Sequence, residues 1–255
     1  MQIRILGGAE IKALLPMSAC IELMRTTMIA VSEGRARIPP RTVLPVSPGG
    51  LLGNMPGYLA EPECFGVKLL SLFPGNLAAG LSSHLGLVLL FEPKHGLPVA
   101  LLDAAELTAI RTAAVSGLAT QLLARDDAGD LAILGSGEQA RSHLAAMQAV
   151  RPIRRVRVWS RTAAHAAGFA EEQGAAHGLT IEVAASAQAA VAGADLICTV
   201  TGSPEPILRG DLISPGAHLN VVGASRIAAA EVDTAAVARS RFFVDFRPSA
   251  DNEAG

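Results

Sequence analysis

The chain has 255 residues, half of them hydrophobic, and its 21 basic and 23 acidic side chains leave a net charge of −2. That length supports a large core in one or two domains. A near-neutral chain carries no electrostatic footprint for nucleic acid or an anionic membrane, so neither is expected as a partner. The six histidines are scattered without metal-ligand spacing. Cys20, Cys64 and Cys198 are odd in number and form no Cys-x-x-Cys pair, which predicts free thiols in a reducing compartment. The N-terminus lacks a basic region followed by a long apolar run. The apolar stretch at 85–91 is too short for a bilayer. A soluble, cytoplasmic protein is expected.

In chain order, Ile21, Met24, Met28 and Val31 repeat at helical spacing and predict a helix over 18–33. Strands are predicted at 64–73, 85–91 and 97–102. The turn cluster Glu92-Pro93-Lys94-His95-Gly96 joins the last two into a hairpin. Asp103-Ala104-Ala105-Glu106 has the form of a capping box and opens a long Ala/Leu-rich helix to about 125. Asp126-Asp127-Ala128-Gly129-Asp130 breaks it.

Strands and helices then alternate. Strands are predicted at 131–134, 156–159, 181–184, 195–200, 218–222 and 242–245, and helices at 138–149 and 163–176. This rhythm predicts a parallel sheet with helices on both faces. The expected fold is therefore α/β: an N-terminal α+β domain over 1–112, then a Rossmann-type, doubly wound parallel sheet over 113–255.

Gly135-Ser136-Gly137-Glu138-Gln139-Ala140 follows an apolar strand and opens a helix, the context a dinucleotide-binding Gly-x-Gly-x-x-Ala loop requires. The first glycine permits the tight turn, and the second lets backbone approach a pyrophosphate. The alanine allows close helix–strand packing. The helix N-terminus offers N–H groups and partial positive charge to phosphate. An ordinary glycine-rich turn is the alternative. At the end of the second strand an NAD site would place an acidic residue for the ribose 2′-OH. Here Trp159 is followed by Ser160, Arg161 and Thr162, which suit a 2′-phosphate. The expected cofactor is NADP(H), with NAD(H) as the alternative.

The segment Cys64-Phe65-Gly66-Val67-Lys68-Leu69-Leu70-Ser71-Leu72-Phe73 is apolar on both faces except for Lys68. Lysine is seldom fully buried unless paired, and burial lowers its pKa toward the range useful for proton transfer. Lys68 is thus a candidate catalytic or carboxylate-binding group. A lysine snorkelling from a strand end is the alternative reading. Arg41, behind Pro39-Pro40, and Arg111, inside the long helix, are candidates for a bidentate grip on a carboxylate. Taken singly, each reads first as a surface or capping arginine.

These stretches have counterparts in a known family. Gly66-Val67-Lys68-Leu69, Phe73-Pro74-x-Asn76, Leu107-Thr108-x-x-Arg111-Thr112-Ala113-Ala114 and the glycine loop resemble the ornithine cyclodeaminase/mu-crystallin family. So do residues 194–201 and 218–224, and the likeness runs along essentially the whole chain. The resemblance implies a homodimer whose N-terminal domain binds substrate and dimerises through its sheet, with NAD(P)(H) on the Rossmann domain. It implies that Arg41, Lys68 and Arg111 hold a substrate carboxylate, and that Lys68 also relays a proton. Thr112 and the glycine loop would contact the cofactor phosphates. Thr199, Val200, Thr201, Val222, Gly223 and Ser225 would complete the cofactor site.

The resemblance implies hydride transfer between imines and amino or imino acids. Ornithine cyclodeaminases follow the loop Gly-Ala or Gly-Gly with an Asp that acts on the substrate amine. Here Gly223-Ala224 is followed by Ser225-Arg226. The expected activity is NAD(P)H-dependent reduction of a small cyclic imino acid such as Δ1-pyrroline-2-carboxylate, to L-proline. The alternatives are ornithine cyclodeamination and non-enzymatic NADP binding. Family chains run on past the equivalent of Asp251-Asn252-Glu253-Ala254-Gly255 with a further helical pair, whose absence would expose apolar surface.

Overall fold

A computed structural model describes residues 2–46, 49–82, 84–224 and 227–254. The chain divides into two compact units, Met1–Arg111 and Thr112–Gly255, with the division falling inside one helix.

The first unit runs β1 (Arg4–Leu6), α1 (Gly8–Leu14), α2 (Met17–Ser32), β2 (Ala36–Arg37), β3 (Thr42–Val46), β4 (Gly50–Ala60), β5 (Glu63–Leu72), a 3₁₀ turn at Pro74–Ala79, β6 (His84–Phe91) and β7 (Pro98–Asp103). It leads into α3 (Ala104–Leu123), which carries the unit boundary. The strands form one seven-stranded sheet in the order β1-β7-β6-β5-β4-β2, with β3 also on β4. All pairings are antiparallel except β1 with β7. The β6–β7 hairpin forms at the Glu92–Gly96 turn, where the Glu92 carboxylate accepts from the Lys94 and His95 N–H groups at 2.8 and 2.7 Å.

Strand β4 was not expected, because Gly50, Gly53, Pro56 and Gly57 depress strand propensity. It forms because Pro56 occupies a gap. β3 pairs with residues as far as Asn54 and β2 with Tyr58 and Leu59, so the missing proline N–H faces no ladder partner on that edge.

Side chains alternate across a strand. Lys68 shares a rung with Met55 and Val88, on the face carrying Leu90 and Leu102. Thr27 and Val31 of α2 join Met55, Lys68 and Val88 in lining a cavity of about 290 Å³. The opposite face carries Ile5, Leu101, Leu89 and Val67 on one rung, with Leu87 and Leu69 beside it. Ile5 is 72% exposed and Leu87 46%, so this apolar face lies open.

Helix α3 starts as its sequence predicts on the cap side: Asp103 Oδ1 accepts from the Glu106 N–H at 2.8 Å. The Glu106 carboxylate pairs with Lys12 at 3.6 Å.

The second unit continues β8 (Asp130–Leu134), α4 (Glu138–Val150), β9 (Arg155–Trp159), α5 (Ala163–His177), β10 (Ile181–Val183), α6 (Ala187–Val191), β11 (Leu196–Thr199), β12 (His218–Val221), α7 (Thr234–Ala238) and α8 (Arg247–Glu253). Its sheet is parallel throughout, in the order β10-β9-β8-β11-β12. Ala132, Leu134 and Ile197 pack with Ala190, Val191 and Ala194 around α6. Leu131 and Ile133 alternate with them toward the opposite face. Every β8 position from Leu131 to Leu134 has no exposed surface, as a strand covered on both faces requires.

One expected strand does not form. Residues 242–245 are irregular, and Phe242 is 67% exposed. Their aromatic and β-branched composition suits a strand. Among the described residues, however, no strand pairs on β12's outer edge, and without a ladder the segment stays open. No single described helix is long and apolar enough to cross a membrane.

Candidate active-site and nucleotide-site residues

In the first unit, Lys68 is half-buried at the middle of β5. Its Nζ donates to Thr108 Oγ1 at 2.7 Å. That hydroxyl donates onward to the Ala104 carbonyl at 2.5 Å, one helical turn back. Burial lowers the Lys68 pKa to about 8, and the positive charges of Arg111 and then Arg41 push the same way. The sequence-predicted trio Arg41, Lys68 and Arg111 is therefore electrostatically one cluster, although its members come from the approach to β3, the centre of β5 and α3. Arg111 also acts on Cys20 of α2, whose thiol burial pushes up and the guanidinium partly restores.

Three cationic side chains within electrostatic reach of one another suit the binding of an anion. A planar carboxylate suits two guanidinium forks and an ammonium. Thr108 went unread as a site residue. Its signal was its position three residues before Arg111, which sets the two on one helix face.

In the second unit the glycine loop links β8 to α4. Gly135 has φ +123°, outside the range of ordinary side-chain-bearing residues, and a Cβ there would lie 2.9 Å from the Val200 carbonyl. Its N–H is held by the Trp159 carbonyl at 2.8 Å. Gly137 is the N-cap of α4, no side chain caps that end, and a Cβ added there would meet nothing within 4 Å. Ser136 lies between the two glycines, Glu138 and Gln139 open α4, and Ala140 is fully buried.

Among the described residues, Thr112 Oγ1 and Gln139 Oε1 are two of the four buried side-chain polar atoms without a hydrogen-bond partner, the others being Arg157 Nε and His218 Nε2. An uncapped helix start with open space at its second glycine fits a bound pyrophosphate, and the unpartnered Thr112 hydroxyl is a donor of the kind a phosphate oxygen accepts. Behind the loop, His143 spans from the Gln139 carbonyl (Nδ1, 2.7 Å) to Ser116 Oγ (Nε2, 2.9 Å). Burial holds its pKa down to about 4, so the imidazole is neutral.

Ser160 and Arg161 directly follow β9, and Thr162 is the N-cap of α5. Arg161 and Thr162 are exposed. Val200 and Thr201 follow β11, and Val222 and Gly223 follow β12. Val200 N–H bonds the Leu134 carbonyl at 2.9 Å, and Val222 N–H the Thr199 carbonyl at 3.0 Å. The strand-end loops are thus stitched together at the carboxyl edge of the sheet. Ser225 and Arg226 lie outside the described residues. Glu231, which no motif singled out, is fully buried beneath these loops.

The model of the ornithine cyclodeaminase/mu-crystallin family matches residues 2–255. The ketimine reductase mu-crystallin of Mus musculus is 41% identical over 225 residues, covering 88% of this chain and 70% of its own. The structure of Thermococcus litoralis Δ1-pyrroline-2-carboxylate reductase in complex with NADH and L-proline is 36% identical. It superposes with a TM-score of 0.95 over 99% of this chain and 78% of that one. An archaeal alanine dehydrogenase dimer with bound NAD, 27% identical, superposes with a TM-score of 0.91 over 99% of this chain and 77% of that one. The glycine loop, the lysine strand and the arginine helix all fall within the matched residues, and the chain belongs to the ornithine cyclodeaminase/mu-crystallin family.

Proposed function

We propose that this chain is an NAD(P)H-dependent imine reductase that converts a small cyclic imino acid such as Δ1-pyrroline-2-carboxylate to an L-proline-like product. The carrying observation is the Arg41–Lys68–Arg111 cluster, with Lys68 held down to about 8. Similarity to the mouse ketimine reductase and to the reductase crystallised with NADH and L-proline supports the same chemistry.

A bound nicotinamide would supply the hydride for the imine carbon. The chain's own residues do the rest. The two arginines and Lys68 take the substrate carboxylate and fix its orientation. Lys68, still largely protonated at neutral pH, releases its proton more readily than an ordinary lysine, and a protonated imine nitrogen is the better hydride acceptor. Hydride to carbon and proton to nitrogen close the C=N reduction. Thr112 and the loop Gly135, Ser136, Gly137, Glu138, Gln139, Ala140 hold the pyrophosphate. Ser160, Arg161 and Thr162 select the 2′-phosphate of NADP(H) over NAD(H). Thr199, Val200, Thr201, Val222, Gly223 and Ser225 complete the cofactor site.

The chain acts as a homodimer. Its open apolar sheet face around Ile5, Leu69 and Leu87 supports pairing through that sheet, as does the dimeric state of the archaeal alanine dehydrogenase.

The test is dinucleotide oxidation, followed by absorbance, with Δ1-pyrroline-2-carboxylate and NADPH or NADH. Turnover in the wild type and none in Lys68→Ala is expected. Wild-type turnover no greater than the variant's would refute the reading. Ammonia release from L-ornithine with NAD⁺ would instead identify a cyclodeaminase.

A further inference from the structure

Glu231 has no exposed surface, and four hydrogen bonds converge on its carboxylate. Oε1 accepts from the Thr201 N–H at 2.6 Å and from Thr201 Oγ1 at 2.7 Å. Oε2 accepts from the Gly223 N–H at 2.6 Å and from Thr199 Oγ1 at 2.8 Å. One oxygen therefore holds the loop after β11, and the other ties the loop after β12 to the end of β11. The residue itself is anchored, because its backbone carbonyl accepts from the Ile207 and Leu208 N–H groups at 2.9 and 3.0 Å. Gly223 lies so close that a Cβ there would overlap the Thr201 carbonyl and the Glu231 carboxyl.

In a doubly wound sheet the ligand lies over the carboxyl ends of the strands, where the strand order reverses. Here the order reverses between β8 and β11. The phosphate loop follows β8, and the Ser160–Thr162 segment, suited to the adenosine ribose, follows β9 on one side. The other half of a dinucleotide then extends over β11 and β12, onto Val200–Thr201 and Val222–Gly223.

We infer that Glu231 is a positioning residue for the nicotinamide half of the cofactor. It sets the spacing of the two loops that form the floor beneath the ring and touches neither ring nor substrate. This rests on the cofactor reading above. A glutamine has the same shape but one acceptor oxygen. Whichever way its amide turns, its NH₂ meets either the Thr201 or the Gly223 N–H, donor against donor. One loop must let go while the volume stays constant.

The experiment compares dissociation constants of wild type and Glu231→Gln, below both melting transitions, for NADPH and NADH and for 2′-phospho-ADP-ribose and ADP-ribose. The last two lack the nicotinamide ring. Glu231→Gln is expected to weaken the reduced dinucleotide about tenfold and its truncated counterpart less than about threefold. Parallel losses for both ligands, or no loss of either, would overturn the inference, because a merely structural carboxylate would lower stability without discriminating between them. If Glu231→Gln does not fold, Thr201→Val, which removes one of the four donors, must show the same selective weakening, by about threefold. Equal effects on both ligands in that variant also refute it. A wild type that binds none of the four ligands overturns the cofactor reading first and this inference with it.

Discussion

The Thr108 hydroxyl stands 2.7 Å from the Lys68 ammonium and gives its own proton to the Ala104 carbonyl, so its lone pairs face the lysine. An acceptor of this kind favours the charged lysine against burial and two arginines. Thr108→Val, equal in shape, removes it. The lysine pKa should fall further below about 8. The alkaline limb of the kcat/KM profile should move to lower pH by about half a unit to one unit. A profile unchanged from wild type would separate Thr108 from the proton donor.

Lys68 also has a consequence for stability. Its native pKa of about 8 lies below the 10.5 of an ordinary lysine, so between those values the unfolded chain binds more protons than the native one. Stability from this group therefore rises as pH climbs from about 8 to 10.5, and the penalty is fully present below 8. Lys68→Met should abolish turnover yet raise the melting point at neutral pH. Discounted for partial exposure, the gain should be about 0.5–1 kcal/mol. Calorimetry of the two proteins at pH 7 checks this, and a destabilised variant would contradict it.

Arg161 should govern cofactor choice. Arg161→Ser is expected to raise the KM for NADPH about tenfold while leaving that for NADH within about twofold. Equal effects on both would show that the exposed guanidinium does not meet the 2′-phosphate.

The apolar sheet face should govern assembly. Leu87 lies 46% exposed beside Leu69 on the sheet face opposite Lys68. Leu87→Glu places a charge at the centre of that face. Sedimentation should show a dimer for the wild type and a monomer for the variant, with stability changed by less than about 0.5 kcal/mol. A variant that remains dimeric would move the interface elsewhere.

How much of this was legible depends on the range of the interaction that decides each feature. The β8–loop–α4 segment was readable to within a residue at each end, because its apolar run, glycines and helix periodicity are local. Helix α2 was readable for the same reason. Strand β4 was not, since a proline and three glycines argue against a strand, and only the gap between β2 and β3 makes Pro56 acceptable. Residues 242–245 failed in the opposite direction: good strand composition with no neighbour to pair. The site shows the same division. Lys68 stood out as a charge in an apolar run, and Thr108 could be found from helix spacing to Arg111. Glu231 left no trace in the sequence, because its four donors come from Thr199, Thr201 and Gly223, and nothing about Ala-Glu-Val-Asp announces them.

Gly135 shows how a fingerprint outlives its use. Its φ of +123° and the Val200 carbonyl against its missing Cβ are properties of the bare polypeptide. A descendant of this chain that had abandoned dinucleotides altogether would still be held to glycine at this position by its own fold. Gly137, with open space where a side chain would go, is under no such obligation. Drift at the second glycine while the first persists is the mark by which a retired relative could be told from a working one.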